Sequence, residues 1–211
     1  MLQGGNMPDL ARAFTYMFED KNWLPKILIG AAFTLLSFIL IGIPFVAGYI
    51  VTLIKRSYED QEIPLPEWDN FGDMLMKGVV AFILVIIVFL PAIILSVLPC
   101  FKLLSFFAGL LGMLVMPLVL GRYAVTGDLN KVFEINELIE LLRDNIANLA
   151  AVLILWIIFS VIASLGVLAL VIGFLFTAFY ANLGLAFLFG KVYQEAEKKR
   201  EAANVGGDAT V

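Results

Sequence analysis

Three long apolar stretches alternate with charged, amphipathic ones. Residues 27–54, 78–121 and 146–190 carry between them a single charged side chain, Lys102. As one helix, the last stretch would be roughly 67 Å long, about twice the ~30 Å hydrocarbon core of a bilayer. It must fold back, and Ser164-Leu165-Gly166 near its midpoint suits a tight turn. The second stretch is as long and turns best at Pro99-Cys100-Phe101-Lys102. The first would make a helix of roughly 42 Å, long for one crossing and short for two. Gly42-Ile43-Pro44 lies in its middle. Pro44 removes a helical hydrogen bond and Gly42 permits a turn, so this stretch also reads as a hairpin. The expected fold is all-α, with about six transmembrane arms arranged as three helical hairpins.

A short amphipathic stretch precedes each hairpin. Leu10, Ala13, Phe14 and Met17 share one helical face before the first, Phe71, Met74 and Leu75 before the second, and Ile135, Leu138, Ile139 and Leu142 before the third. The triplets Phe14/Met17/Phe18, Phe71/Met74/Leu75 and Leu138/Leu141/Leu142 keep step with the hairpin tips. The chain therefore reads as a threefold repeat of interfacial helix plus hairpin, near residues 8–60, 61–127 and 128–195. These make one membrane domain over residues 1–200. The polar, small-residue tail at 201–211 is expected to be disordered.

Charge orients the arrangement. With three hairpins, thirteen of the fourteen Lys and Arg and all eighteen Asp and Glu fall on one side, leaving only Lys102 on the other. If the first stretch crossed once, the Lys/Arg split would fall to ten against four. The positive-inside bias favours the more lopsided distribution. Both termini are then expected on the cytoplasmic side of the plasma (inner) membrane, and no cleaved signal peptide is expected at residues 1–20.

Composition narrows the chemistry. Hydrophobic residues make up 62% of the 211, histidine is absent, there is one cysteine, Cys100, and net charge is −4. Without histidine the usual general base and the commonest metal ligand are missing. The negative balance offers no nucleic-acid surface, and one cysteine permits no internal disulfide. No charged residue lies inside an arm, which argues against ion-coupled transport and proton relays. No nucleophile–base pair or metal cluster stands out, so no enzyme and no cofactor are expected.

The remaining candidates concern contact rather than catalysis. Glu67, Trp68, Asp69 and Phe71 follow Pro64 and Pro66 in a polar connection, with Asp69 placed to cap the next helix. This loop is either a docking element for a partner, or its Trp68 is an interfacial anchor or a lid packed on the hairpins. Glu134, Glu137, Glu140 and Asp144 recur at helical spacing and read as a solvated face rather than a cation site. Tyr180 and Asn182 are polar groups deep in the last arm, and Asn182 is the one expected to face a neighbouring helix. Arg122 ends an arm and is expected to snorkel towards lipid headgroups.

Three segments carry a resemblance: Glu19-Asp20-Lys21-Asn22-Trp23-Leu24-Pro25-Lys26-Ile27-Leu28-Ile29-Gly30, Leu65-Pro66-Glu67-Trp68-Asp69-Asn70-Phe71-Gly72, and Gly121-Arg122-Tyr123-Ala124-Val125-Thr126-Gly127. They are similar to segments of a prokaryotic membrane family, domain of unknown function 4013. Leu-Pro-Glu-Trp-Asp is the most specific, while Asp20-Lys21-Asn22-Trp23 departs from the usual Asp-Pro-Asp-Trp. The likeness covers roughly residues 8–195 and implies an integral membrane protein without an assigned activity. Two functions fit: a scaffold or accessory subunit of a membrane complex, or a protein binding or transporting lipid or small apolar solutes in a cavity lined by Thr34, Ser37, Thr177, Tyr180 and Asn182. Expected partners are membrane lipids and a further protein or a second copy of the chain, with no nucleic acid.

Overall fold

The computed structural model describes residues 12–62, 65–165 and 170–207, and their regular structure is helical throughout. Helix α1 (Arg12–Thr15) runs into a 3-10 turn at Tyr16–Glu19, and α2 (Trp23–Leu36) leaves at 111° to that pair. A second 3-10 turn, Ser37–Ile39, and Leu40 with φ 66° reverse the chain into α3 (Gly42–Tyr58). Pro44 therefore sits in the first turn of α3, where a missing N–H costs little. The first apolar stretch is a hairpin, turned just before the Gly-Ile-Pro segment.

Helices α4 (Phe71–Val97) and α5 (Lys102–Thr126) form the second hairpin, turned by Leu98 and a 3-10 segment at Pro99–Phe101. Two short helices follow, α6 (Leu129–Val132) and α7 (Ile135–Asp144). Helices α8 (Ile146–Leu165) and α9 (Leu170–Gly207) then pack on each other. The expected turn at Gly166 lies outside the described residues, as do Leu10 and Pro64.

Four helices are long and apolar enough to cross a membrane, and the bent first pair would raise the count to five. The 14 residues of α2 and the 17 of α3 are each short of a crossing. The amphipathic stretch at Phe71–Leu75, expected as a separate interfacial helix, is the first turn of α4. Asn70, one residue beyond the expected Asp69, caps it by accepting from the Asp73 N–H at 3.2 Å. Nothing between Leu75 and Gly78 breaks the helix. The stretch before the third hairpin does form its own element, because Asn145 interrupts the helix between α7 and α8. At the other end α9 runs on to Gly207. Residues 208–211 lie outside the described residues.

Packing is tightest where the charges are. Tyr16, Tyr49, Tyr193, Leu53, Ile54 and Leu183 are fully buried there. Helix α3 lies against α4, α5 and α9. Its approach to α4 is so close that a Cβ on Gly48 would overlap the Met74 carbonyl, and one on Gly78 the Pro44 carbonyl. Small residues at such crossings let helices touch along their backbones, which is how apolar helices associate in lipid. Towards the α4–α5 tip, Ile93, Ile94, Val97, Leu103, Phe106 and Phe107 are all at least half exposed. The bundle is tightly packed at its charged end and exposes large apolar side chains at the other.

Candidate functional site

Two polar arrangements and one cavity system are candidates. The first arrangement sits under the α2–α3 hairpin. The Lys26 ammonium is buried and pairs with Asp20 and Glu67, each at 2.6 Å. Trp68 is buried, donates from Nε1 to the Lys26 carbonyl at 3.0 Å, and stacks on Tyr49 and Phe33 with centroids 4.3 and 5.0 Å apart. Tyr49 donates to the Pro66 carbonyl at 2.9 Å. Phe71 is partly exposed and tilts against Phe33 and Phe45. Asp69 remains exposed beside a depression of about 260 Å³. Of the sequence readings of this loop, the lid is the one adopted: its indole is spent on the hairpin.

The second arrangement joins α5, α7 and α9. Arg122 is 5% exposed and donates to Glu134 at 2.9 Å and to Glu137. Arg200 donates to both carboxylate oxygens of Glu137, at 2.6 and 2.9 Å. These two bonds and the one from Arg122 outweigh partial burial and hold the Glu137 carboxyl at about 2, well below its ordinary range. Two expectations change. Arg122 does not reach out to headgroups, because α7 folds back and covers it. The acidic face of α7 is not uniformly solvated, because Glu137 is the bridge. Among the described residues no three Asp, Glu or Cys side chains converge as a metal site would require.

The cavities are half-open clefts in the apolar half, and Asn182, which borders both, is exposed. Two spaces of about 340 Å³ each share Ile50, Val85, Leu120 and Asn182 in their walls. One extends to Thr34 and Ser37 of the α2–α3 hairpin; the other reaches between Met113, Met116, Trp156 and Phe189. No ionisable side chain lines either. The polar groups are already partly satisfied by their own helices. Thr34 Oγ1 donates to the Gly30 carbonyl at 2.8 Å, Ser37 Oγ to Phe33 at 2.9 Å and Asn182 Nδ2 to Ala178 at 2.9 Å. Each still offers acceptor oxygens, and Asn182 a second N–H.

Asn182 was expected to bond a neighbouring helix, and it does not. Tyr180 does so instead, donating to the Phe14 carbonyl at 2.8 Å. The carbonyl comes from α1, which folds in beneath α8 and α9; a one-dimensional pattern does not reveal that approach. Tyr180 and Thr177 are absent from the cavity walls, whereas Thr34, Ser37 and Asn182 line them. Lys26 was not singled out from sequence. Its one signal is a charge adjoining an apolar run, with no hint that Glu67, 41 residues on, supplies a partner.

Long apolar helices tightly packed at one charged end define a multi-pass helical membrane protein. The chain belongs to the family described as protein of unknown function (DUF4013), which matches residues 32–102 and 97–177. The Leu65–Gly72 and Gly121–Gly127 segments fall inside that match, and Glu19–Gly30 precedes it. No curated protein and no solved structure matches the chain.

Proposed function

We propose that this protein binds a lipid or small apolar solute within the bilayer and catalyses no reaction. The observation that carries the reading is the pair of cavities meeting at Asn182. Each lies in the range of small-molecule sites, apolar walls with a few convergent polar groups. An apolar molecule bearing one hydroxyl, amide or carbonyl would match an aliphatic wall and a lone amide. The scaffold reading loses Trp68, which is buried against Tyr49 and Phe33, while Glu67, Asp69 and Phe71 of the same loop stay exposed. The protein would sit in the plasma (inner) membrane with its charged end cytoplasmic and α1 and α7 at the interface.

The test is the set of molecules retained through purification into nanodiscs, identified by mass spectrometry of the extracted sample. Val85 lines both cavities, so Val85→Trp places a bulky side chain where they meet. The wild type is expected to carry a stoichiometric lipid or apolar metabolite, and Val85→Trp to lose it while remaining monodisperse. Identical bound species in both proteins would refute the site. A stoichiometric protein partner with no retained small molecule would favour the scaffold reading instead.

A further inference from the structure

The α2–α3 hairpin and the α4–α5 hairpin both leave from the charged end, yet they reach different heights. Helices α3 and α4 run antiparallel, with Gly48 against Met74 and Pro44 against Gly78. Ile43, just past the turn, shares a cavity wall with Ala81 and Phe82. The tip of the first hairpin therefore lies near the middle of α4, level with Phe82. Beyond that level α4 continues through Phe82–Val97, sixteen residues, or about 24 Å of helix.

The chemistry of the two tips differs in the same sense. The α4–α5 tip carries Lys102 and the exposed Cys100. The α2–α3 tip carries Phe38, Ile39, Leu40 and Ile41, which are 70%, 62%, 70% and 58% exposed. Its only polar side chain, Ser37, donates to the Phe33 carbonyl. Four adjacent large apolar side chains on a turn suit hydrocarbon and are opposed by water. Within the turn, Leu40 N–H bonds the Ser37 carbonyl at 3.0 Å, and Gly42 packs against the Phe33 carbonyl.

Both ends of the hairpin are fastened at the charged face. Lys26 pairs with Asp20 and Glu67 below α2. Beyond α3, Lys191 of α9 pairs with Asp60, and Gln194 donates to the Tyr58 carbonyl at 2.6 Å. We propose that α2–α3 is a re-entrant hairpin: it enters and leaves by the charged side, and Phe38–Ile41 end among the acyl chains of the bilayer without emerging on the far side. The bilayer itself is the partner of this surface. The arrangement leaves every charged connection on the side it would occupy with two full crossings, so the lopsided Lys/Arg distribution is kept.

The experiment uses the full chain in nanodiscs, where both membrane faces are open to reagent, with Cys100→Ser as background. Single cysteines replace Leu40, Ile39 or Lys102 and are treated with a membrane-impermeant maleimide; labelling after denaturation confirms that each thiol is intact. An apolar surrounding keeps a thiol protonated and out of reach, so Leu40→Cys and Ile39→Cys are expected to react at least about 10-fold more slowly than Lys102→Cys. A nitroxide at position 40 is expected to collide with oxygen in preference to a water-soluble nickel chelate. Modification of Leu40→Cys and Ile39→Cys at the rate of Lys102→Cys, with the nitroxide favouring the nickel chelate, would overturn the proposal.

Discussion

Glu137 is the residue on which three helices converge, since Arg122 of α5 and Arg200 of α9 both donate to it. Glu137→Gln leaves Arg122 buried with one carboxylate fewer, and a loss of about 2 kcal/mol is expected because breaking a partly buried pair strands its partner. Glu140 is exposed, so Glu140→Gln is expected to cost under about 0.5 kcal/mol. Thermal unfolding of both variants in one detergent checks the difference. The Glu137 carboxyl lies at about 2 in the folded protein against an ordinary 4.5. Its contribution is thus present above the unfolded value and lost as pH falls from 4.5 towards 2. The wild type minus Glu137→Gln difference in melting temperature should shrink over that interval; a difference that holds steady down to pH 3 contradicts the ion-pair account. At the other arrangement, Trp68→Phe keeps an aromatic stack but drops the bond to the Lys26 carbonyl, and is expected to cost about 1 kcal/mol. Trp68→Ala removes the stack as well and should cost about 3 kcal/mol or more.

Between elements, the α3–α4 contact is where the chain has least room. Ala at Gly48 or Gly78 would push a methyl into a backbone carbonyl of the partner helix, which side-chain rotation cannot relieve. Each is expected to destabilise by about 2 kcal/mol or more. Gly72 is the control: it lies in the first turn of α4 with nothing near its Cβ position, so Gly72→Ala should be neutral or slightly stabilising. Equal melting shifts for the three variants would refute the close-contact account. The same contact explains one discrepancy at this scale. Gly78 was the expected start of an arm, but it lies inside a continuous α4, because its missing side chain serves the crossing with Pro44 and not a turn.

For the molecule as a whole, the orientation expected from charge can be read chemically. In intact cells a cysteine at Lys102 should react with an impermeant reagent from outside, and one at Asn70 should not. Reaction at Asn70 from outside would invert the orientation. The buried charged end and exposed far end also imply graded stability. Amide exchange is expected to be slowest around Leu53, Ile54, Leu183 and Val192, and faster in the last turns of α4 and the first of α5, where few side chains are buried.

Membrane class, the apolar stretches and the approximate places of the first two reversals were legible because each depends on local chemistry. A run too long for one crossing must fold, and glycine and proline mark where. Even the family likeness rests on short contiguous motifs. Which polar residues face one another was not legible. Lys26 finds Glu67, Arg122 finds Glu134 and Glu137, and Tyr180 finds the Phe14 carbonyl only when separate helices are brought side by side. The cavities at Asn182 belong to the same category, being spaces left between six helices and not properties of any one. Helix lengths and turns are decided along the chain, where each residue meets its near neighbours. Pairings, burial and empty volume are decided across it, by backbone approaches such as Gly48 on Met74 that no periodicity encodes.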